Sequence, residues 1–109
     1  MTTFEVKFWT DSRGRCPVEK WLASLDKIHQ KRMFALLRML GEIGRDLHLP
    51  HCRALGGGLY ELRDTGRGPG YRIYYCFEGE NLIILLASGK KTSQERDINT
   101  ALTRMEDME

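Results

Sequence analysis

Six consecutive apolar residues, Leu82 to Ala87, constrain the fold of this 109-residue chain more than any other segment. The run LIILLA is far shorter than the roughly 20 apolar residues that a membrane-spanning helix needs. As a strand it would place apolar side chains on both faces, which is typical of a strand inside a sheet. We therefore expect residues 81–88 to form the central and most buried strand of a β-sheet.

The segments around that strand predict the rest of the sheet. Residues 59–63 and 70–77 alternate in polarity and are joined by a Gly-rich loop, which is the pattern of an antiparallel hairpin. Residues 3–9 alternate in the same way and predict an N-terminal strand, and a short strand is expected around residues 53–55.

Three helices are predicted from their start and stop signals. Pro17 opens a short amphipathic segment, and Asp26 caps a second one that Gly44 ends. Thr92 and Glu95 form a T-x-x-E capping box before a C-terminal helix.

The order β-α-α-β-β-β-α predicts the α+β class. We expect an N-terminal strand, a helical hairpin, then a twisted, mainly antiparallel sheet and a C-terminal helix, with the helices on one face. Residues 1–109 should form a single domain.

Composition narrows the functional classes. Residues 1–44 carry a net charge of +3, residues 45–91 carry +2 and residues 92–109 carry −3, so the formal total of +2 hides a basic body. Such a body is weak evidence for a polyanionic partner. The three cysteines have unrelated spacings, which fits a reducing compartment. With no signal-peptide core, we expect a cytoplasmic protein without membrane contact.

Strand parity sets two arginines side by side in the hairpin. Pairing Leu62 with Ile73 keeps the apolar faces of both strands together, and it places Arg63 beside Arg72 on the face without the core. Directly opposed like charges destabilise a sheet. The pair therefore requires an explanation.

Two interpretations are open. Arg63 pairs with Glu61 or Asp64 while Arg72 points to water, or both guanidinium groups bind an anion such as phosphate, whose oxygens suit planar bidentate donors. Further basic residues nearby favour the second interpretation: Arg53, Arg67, Lys90 and Lys91.

The segments ALGGGLYELR, GPGYRIYYCF and LIILLASGKKTSQERDI, in this order, resemble the RelE/ParE superfamily of bacterial toxins, and within it the HigB-like addiction module killer proteins of phage and plasmid type. The resemblance covers most of the chain. It implies a RelE-like fold and the toxin of a type II toxin–antitoxin pair. The partner would be a helix-turn-helix antitoxin, through which alone the toxin reaches operator DNA.

Toxins of the RelE and HigB kind cleave messenger RNA in the ribosomal A site without a metal, so the resemblance implies an mRNA interferase that needs no cofactor. It carries catalytic roles to Arg63, Arg72, Lys90 and Lys91, although many relatives read GGDKS where this chain has SGKKT. RNA cleavage by the 2′-OH needs charge stabilisation at phosphorus, a base and an acid. The arginines suit the first task, either lysine could be the base, and either lysine or Tyr74 could be the acid.

Other residues are candidates for RNA contact. His51 and Arg53 are expected to border a basic groove, and Arg67 lies at the tip of the hairpin loop, where RNA or ribosome contact and plain solvation are both open. Tyr74 is either a base-stacking residue or an ordinary strand tyrosine. The segment HLPHC lacks a second ligand pair, so no metal site is predicted.

Two alternatives to the nuclease are open. One is a ParE-like inhibitor of DNA gyrase, which would not use the basic sheet face for catalysis. The other is a catalytically inactive binding module that acts only in operon repression with its antitoxin.

Overall fold

The structure, a computed structural model, describes residues 3–108. Its elements in chain order are β1 (Glu5–Phe8), α1 (Pro17–Ser24), α2 (Lys27–Ile43), a 3₁₀ turn (Gly44–Asp46), β2 (Cys52–Gly56), β3 (Leu59–Arg63), β4 (Arg72–Glu78), β5 (Leu82–Gly89), a second 3₁₀ turn (Lys91–Ser93) and α3 (Gln94–Glu106). The predicted α+β class and order of elements are confirmed. None of the helices within this range is long and apolar enough to cross a membrane.

The strands form one five-stranded sheet in the order β1-β5-β4-β3-β2. β1 runs parallel to β5, and the other three pairings are antiparallel. The predicted hairpin register is confirmed, with Leu62 opposite Ile73 and Arg63 opposite Arg72. The prediction that β5 is the central strand is wrong: β4 occupies the middle, because β2 adds a second strand beyond β3.

The helices cover both faces of the sheet, so the expectation that they pack on one face is wrong. Leu37 of α2 belongs to one buried cluster with Ile73. Ala101 of α3 belongs to a second cluster on the opposite face, with Tyr74 and Leu86. The physical reason is that β4 and β5 are apolar on both sides, and apolar surface left in water costs about 25 cal/mol per Å².

The helix ends follow local chemistry, with one exception. The Asp26 carboxylate accepts the backbone N–H of His29 and caps α2, and Gly44 ends that helix with φ +63°. The capping box predicted at Thr92 and Glu95 does not form, because Thr92 lies within the second 3₁₀ turn. The Lys90 backbone N–H donates instead to the Ser93 hydroxyl oxygen at 3.3 Å.

The loop between β3 and β4 folds back onto α2. Arg32 Nη2 lies 2.6 Å from Asp64 Oδ1, and Arg32 Nη1 donates to the Arg67 carbonyl at 3.0 Å. A side chain at Gly66 would displace the Arg32 guanidinium from this position. The loop is thereby directed toward the face that α2 covers.

Candidate anion-binding site

Three arginines surround one buried carboxylate at the end of the sheet. Glu61 of β3 is fully buried. Its Oε1 lies 3.4 Å from Arg53 Nη2 and 3.5 Å from Arg63 Nε, and its Oε2 lies 3.5 Å from Arg72 Nη1. β2, β3 and β4 each supply one arginine, because Arg53 pairs with Glu61 and Arg63 pairs with Arg72 across neighbouring strands. We call Arg53, Arg63, Arg72 and Glu61 the arginine cluster.

Glu61 resolves the apparent conflict between Arg63 and Arg72. A negative charge between the two guanidinium groups offsets their repulsion, and burial raises the strength of each pair. The interpretation in which Arg63 pairs with Glu61 is thus confirmed, whereas the accompanying view that Arg72 points to water is wrong. Three positive groups against one negative group still leave the arginine cluster with a net charge of +2.

The arginine cluster keeps unused hydrogen-bonding capacity. Within residues 3–108, buried side-chain atoms without a hydrogen-bond partner are Glu61 Oε1, Arg63 Nε, Arg72 Nε and the Tyr74 hydroxyl. The ion pairs are longer than the 2.7–2.9 Å typical of charge-assisted hydrogen bonds. Buried polar groups in native proteins are normally paired, so four such atoms in one place require an explanation.

The three arginines differ in access to solvent. Arg53 and Arg63 keep 44% and 32% of their side chains exposed, whereas Arg72 keeps 8%. An incoming anion would therefore meet Arg53 and Arg63 first, and Arg72 lies behind them. The prediction that placed Arg63 and Arg72 on a face away from all helices is wrong, because α3 covers this side of the sheet.

α3 contributes directly to the site through its first residue. Gln94 Nε2 donates to Glu61 Oε2 at 2.8 Å. The turn before Gln94 is held by the Ser93 hydroxyl, which donates to the buried carboxylate of Asp97. A side chain at Gly89 would overlap Asp97, so this end of β5 requires glycine.

Tyr74 lies beside the arginine cluster but has no access to solvent. It pairs with Glu61 across the strands and is fully buried. Burial first, and then the negative charge of Glu61, raise the pKa of the Tyr74 phenol, which stays protonated at neutral pH. A fully buried ring does not offer a face for base stacking, so that interpretation of Tyr74 does not fit the structure.

The two candidate lysines follow β5. Gly89 pairs with Arg72, which brings Lys90 and Lys91 to the same end of the sheet as the arginine cluster. Both lysines are exposed. The Lys91 N–H donates to the Pro69 carbonyl at 3.2 Å, so the lysine segment is attached to the hairpin loop.

Lys90 borders a cleft of about 290 Å³ whose other walls include Trp21, Tyr71 and Arg96. Trp21 and Tyr71 pack against the buried cluster on the α2 face, whereas the arginine cluster lies on the face that α3 covers. The lysines therefore share the end of the sheet with the arginine cluster, but the cleft beside Lys90 does not belong to it.

Two of the predicted RNA-contact residues do not add a side chain to the arginine cluster. The His51 carbonyl accepts the Arg63 backbone N–H at 2.8 Å, but His51 borders a groove beside α2 with Ala35 and Met39. Arg67 is exposed, and its carbonyl is held by Arg32 on the same side. Arg53 alone of the three predicted RNA-contact residues belongs to the arginine cluster.

Glu61 and Gln94 are the site residues that sequence reasoning undervalued. Alternation already placed Glu61 on the face of Arg63, so its role as a shared partner was accessible from strand parity. Gln94 gave no such signal, because its contact depends on how α3 docks. In the part of the chain that the structure describes, no group of three His, Cys, Asp or Glu side chains could hold a metal ion.

Comparisons with known proteins relate the chain to phage-derived sequences. A model of the family described as phage-derived protein Gp49-like (DUF891) matches residues 20–106. An uncharacterized protein of Haemophilus influenzae strain Rd is 31% identical over 86 residues, which cover 76% of this chain and 80% of that protein. The residues that the family model matches, 20–106, include α2, α3, the four strands β2–β5 and the arginine cluster.

Proposed function

Because the chain belongs to the phage-derived Gp49-like family, we propose that it is the toxin of a type II toxin–antitoxin pair and cleaves messenger RNA on the translating ribosome. The proposed reaction needs no metal and no cofactor. The proposed site of action is the cytoplasm. The partner is a helix-turn-helix antitoxin, and contact with operator DNA occurs only through that antitoxin.

One observation carries the proposal: a net charge of +2 is built around a buried carboxylate, and two of its three arginines, Arg53 and Arg63, keep 44% and 32% of their side chains exposed. Burying charge is costly, and replacing a buried ion pair by apolar residues often leaves a protein as stable or more so. Stability alone therefore does not require this cluster. A phosphodiester supplies the negative charge and acceptor oxygens that it lacks.

The mechanism follows from the access of each group. Arg53 and Arg63 bind the scissile phosphate from solvent, and Arg72 adds positive charge from below as negative charge develops on the phosphorane. Attack by the 2′-OH requires loss of its proton, and departure of the 5′-oxygen requires a proton. We assign these two transfers to Lys90 and Lys91, which follow the strand end that pairs with Arg72.

The test uses Arg63, because it is half-exposed and its loss leaves Glu61 with two arginine partners. Induced wild-type protein should arrest growth and create new RNA 5′ ends within translated messages. Arg63→Ala should lower cleavage by about 100-fold, as expected for loss of a charge-stabilising donor. Arg38→Ala removes an exposed arginine on the outer side of α2 and serves as the matched control, with cleavage unchanged.

Two results would overturn the proposal. Growth arrest without new 5′ ends, together with an SOS response, would identify gyrase as the target. Absence of toxicity from a folded wild-type protein would identify a binding module. An adjacent reading frame for a small helix-turn-helix protein supports the toxin–antitoxin part.

A further inference from the structure

We propose that Glu61 and Gln94 are positioning residues of the anion site. The buried Glu61 carboxylate sets the direction of the three arginine side chains, and the Gln94 amide fixes that carboxylate. The effect on cleavage rests on the proposed function, whereas the effect on arginine geometry does not.

Glu61 acts through its neighbours because it has no access to a ligand. Its side chain is fully buried, and both carboxylate oxygens face protein groups. An RNA phosphate approaching Arg53 and Arg63 would meet their exposed parts and not the carboxylate. Glu61 is therefore not placed to transfer a proton to or from RNA.

The two oxygens of Glu61 serve different layers of the site. Oε1 contacts the two exposed arginines, Arg53 and Arg63, and Oε2 contacts the buried Arg72 and Gln94. Because a carboxylate is planar, fixing Oε2 also fixes Oε1. The 2.8 Å hydrogen bond from Gln94 is the shortest of the four contacts that Glu61 makes with Gln94 and the three arginines. We therefore assign to Gln94 the orientation of the Glu61 carboxylate plane.

The position of Gln94 is itself well defined. It is the first residue of α3, directly after the turn that Ser93 and Asp97 hold. A neutral amide at this place donates a hydrogen bond without adding a fourth positive charge. It therefore orients Glu61 without weakening the hold of the carboxylate on the arginines.

If Glu61 were only a counter-ion that reduces repulsion between the arginines, a different result would be expected. Any nearby negative charge would then be sufficient, and loss of the Gln94 hydrogen bond would leave the arginine side chains where they are. If the carboxylate has a positioning role, Gln94→Ala should disturb the arginines although no charge changes. Small misplacements of binding groups cost rate, about 100-fold for an error of roughly 1 Å.

The experiment compares wild type, Gln94→Ala and Glu61→Gln by the ¹⁵N–¹H signals of the arginine Nε–Hε groups. Both variants should shift the signals of Arg63 and Arg72 while the backbone amide spectrum stays that of the folded protein. On programmed ribosomes, kcat should fall about tenfold for Gln94→Ala and about 100-fold for Glu61→Gln, with KM within about twofold.

The exchanged pair Glu61→Gln with Gln94→Glu restores the net charge but moves the carboxylate to α3. Recovery of full kcat in this double variant would show that charge suffices and would overturn the positioning role. Unchanged Arg63 and Arg72 signals in Gln94→Ala would overturn it as well, whether or not the wild type cleaves RNA. If Glu61→Gln does not fold, Gln94→Ala still tests the positioning role, because this substitution leaves every charge in place.

Discussion

At the scale of single residues, the Tyr74 hydroxyl illustrates how burial changes a chemical assignment. The sequence makes this tyrosine a candidate acid, because its phenol can donate a proton and alternation places it on the same strand face as Arg72. The structure buries the ring completely and leaves the hydroxyl without a hydrogen-bond partner in residues 3–108. Proximity to a charged site is therefore not the same as access to its substrate.

Tyr74→Phe should retain cleavage within about threefold, because a buried phenol does not reach the substrate. Stability should stay within about 1 kcal/mol of wild type, since the variant removes one buried hydroxyl beside Glu61. Urea unfolding and RNA cleavage assays check the two parts. A large loss of cleavage in a folded Tyr74→Phe protein would return the proton-donor role to Tyr74.

At the scale of elements, the start of α2 joins helix capping to a histidine. The Asp26 carboxylate accepts from the His29 backbone N–H at 2.9 Å and lies 2.7 Å from His29 Nδ1. The hydrogen bond to Asp26 raises the pKa of His29 above 6.5, and the backbone N–H of His29 lowers the pKa of Asp26 below 3.8. Because the pKa of His29 is higher in the folded state than in the unfolded state, protonated His29 stabilises the fold below pH 6.5. This contribution is lost as the pH rises through the pKa of the folded state.

The Asp26 carboxylate has the opposite pH dependence. Its contribution to stability is present above pH 3.8 and is lost as the pH falls through its pKa in the folded state, which is lowered. Asp26→Asn keeps a capping oxygen but removes the charge, so it should destabilise the protein at about pH 5.5 and much less at about pH 8. Urea unfolding at both values measures this, and a difference that does not vary with pH would contradict the pairing.

At the scale of the whole molecule, the sheet has two separate cores. Neighbouring residues of β5 belong to opposite clusters: Leu85 packs on the side of α2, and Leu86 packs on the side of α3. Both are essentially buried. The docking of α3 on the second face is also what brings Gln94 to Glu61, so the arginine cluster depends on the second core.

Leu85→Ala and Leu86→Ala should each lower the free energy of unfolding by about 2–5 kcal/mol, because each leaves a cavity in a packed cluster. Leu102→Ala on α3, where the leucine is 37% exposed, is the control, with a loss below about 1 kcal/mol. Equilibrium urea unfolding gives all three values. A small effect at Leu86 with a large effect at Leu85 would mean that only one face carries a core.

The sequence by itself determined the elements and the hairpin register, because these follow from local signals. Strand alternation, the Asp26 cap and the Gly44 stop act within a few residues, and parity allows only certain pairings of Leu62 and Ile73. The tertiary structure decided which sheet face α3 covers, that β2 moves the centre to β4, and that Gln94 reaches Glu61. These contacts join residues far apart in the chain, such as Gln94 and Glu61, and depend on the packing of whole elements, which no local pattern encodes.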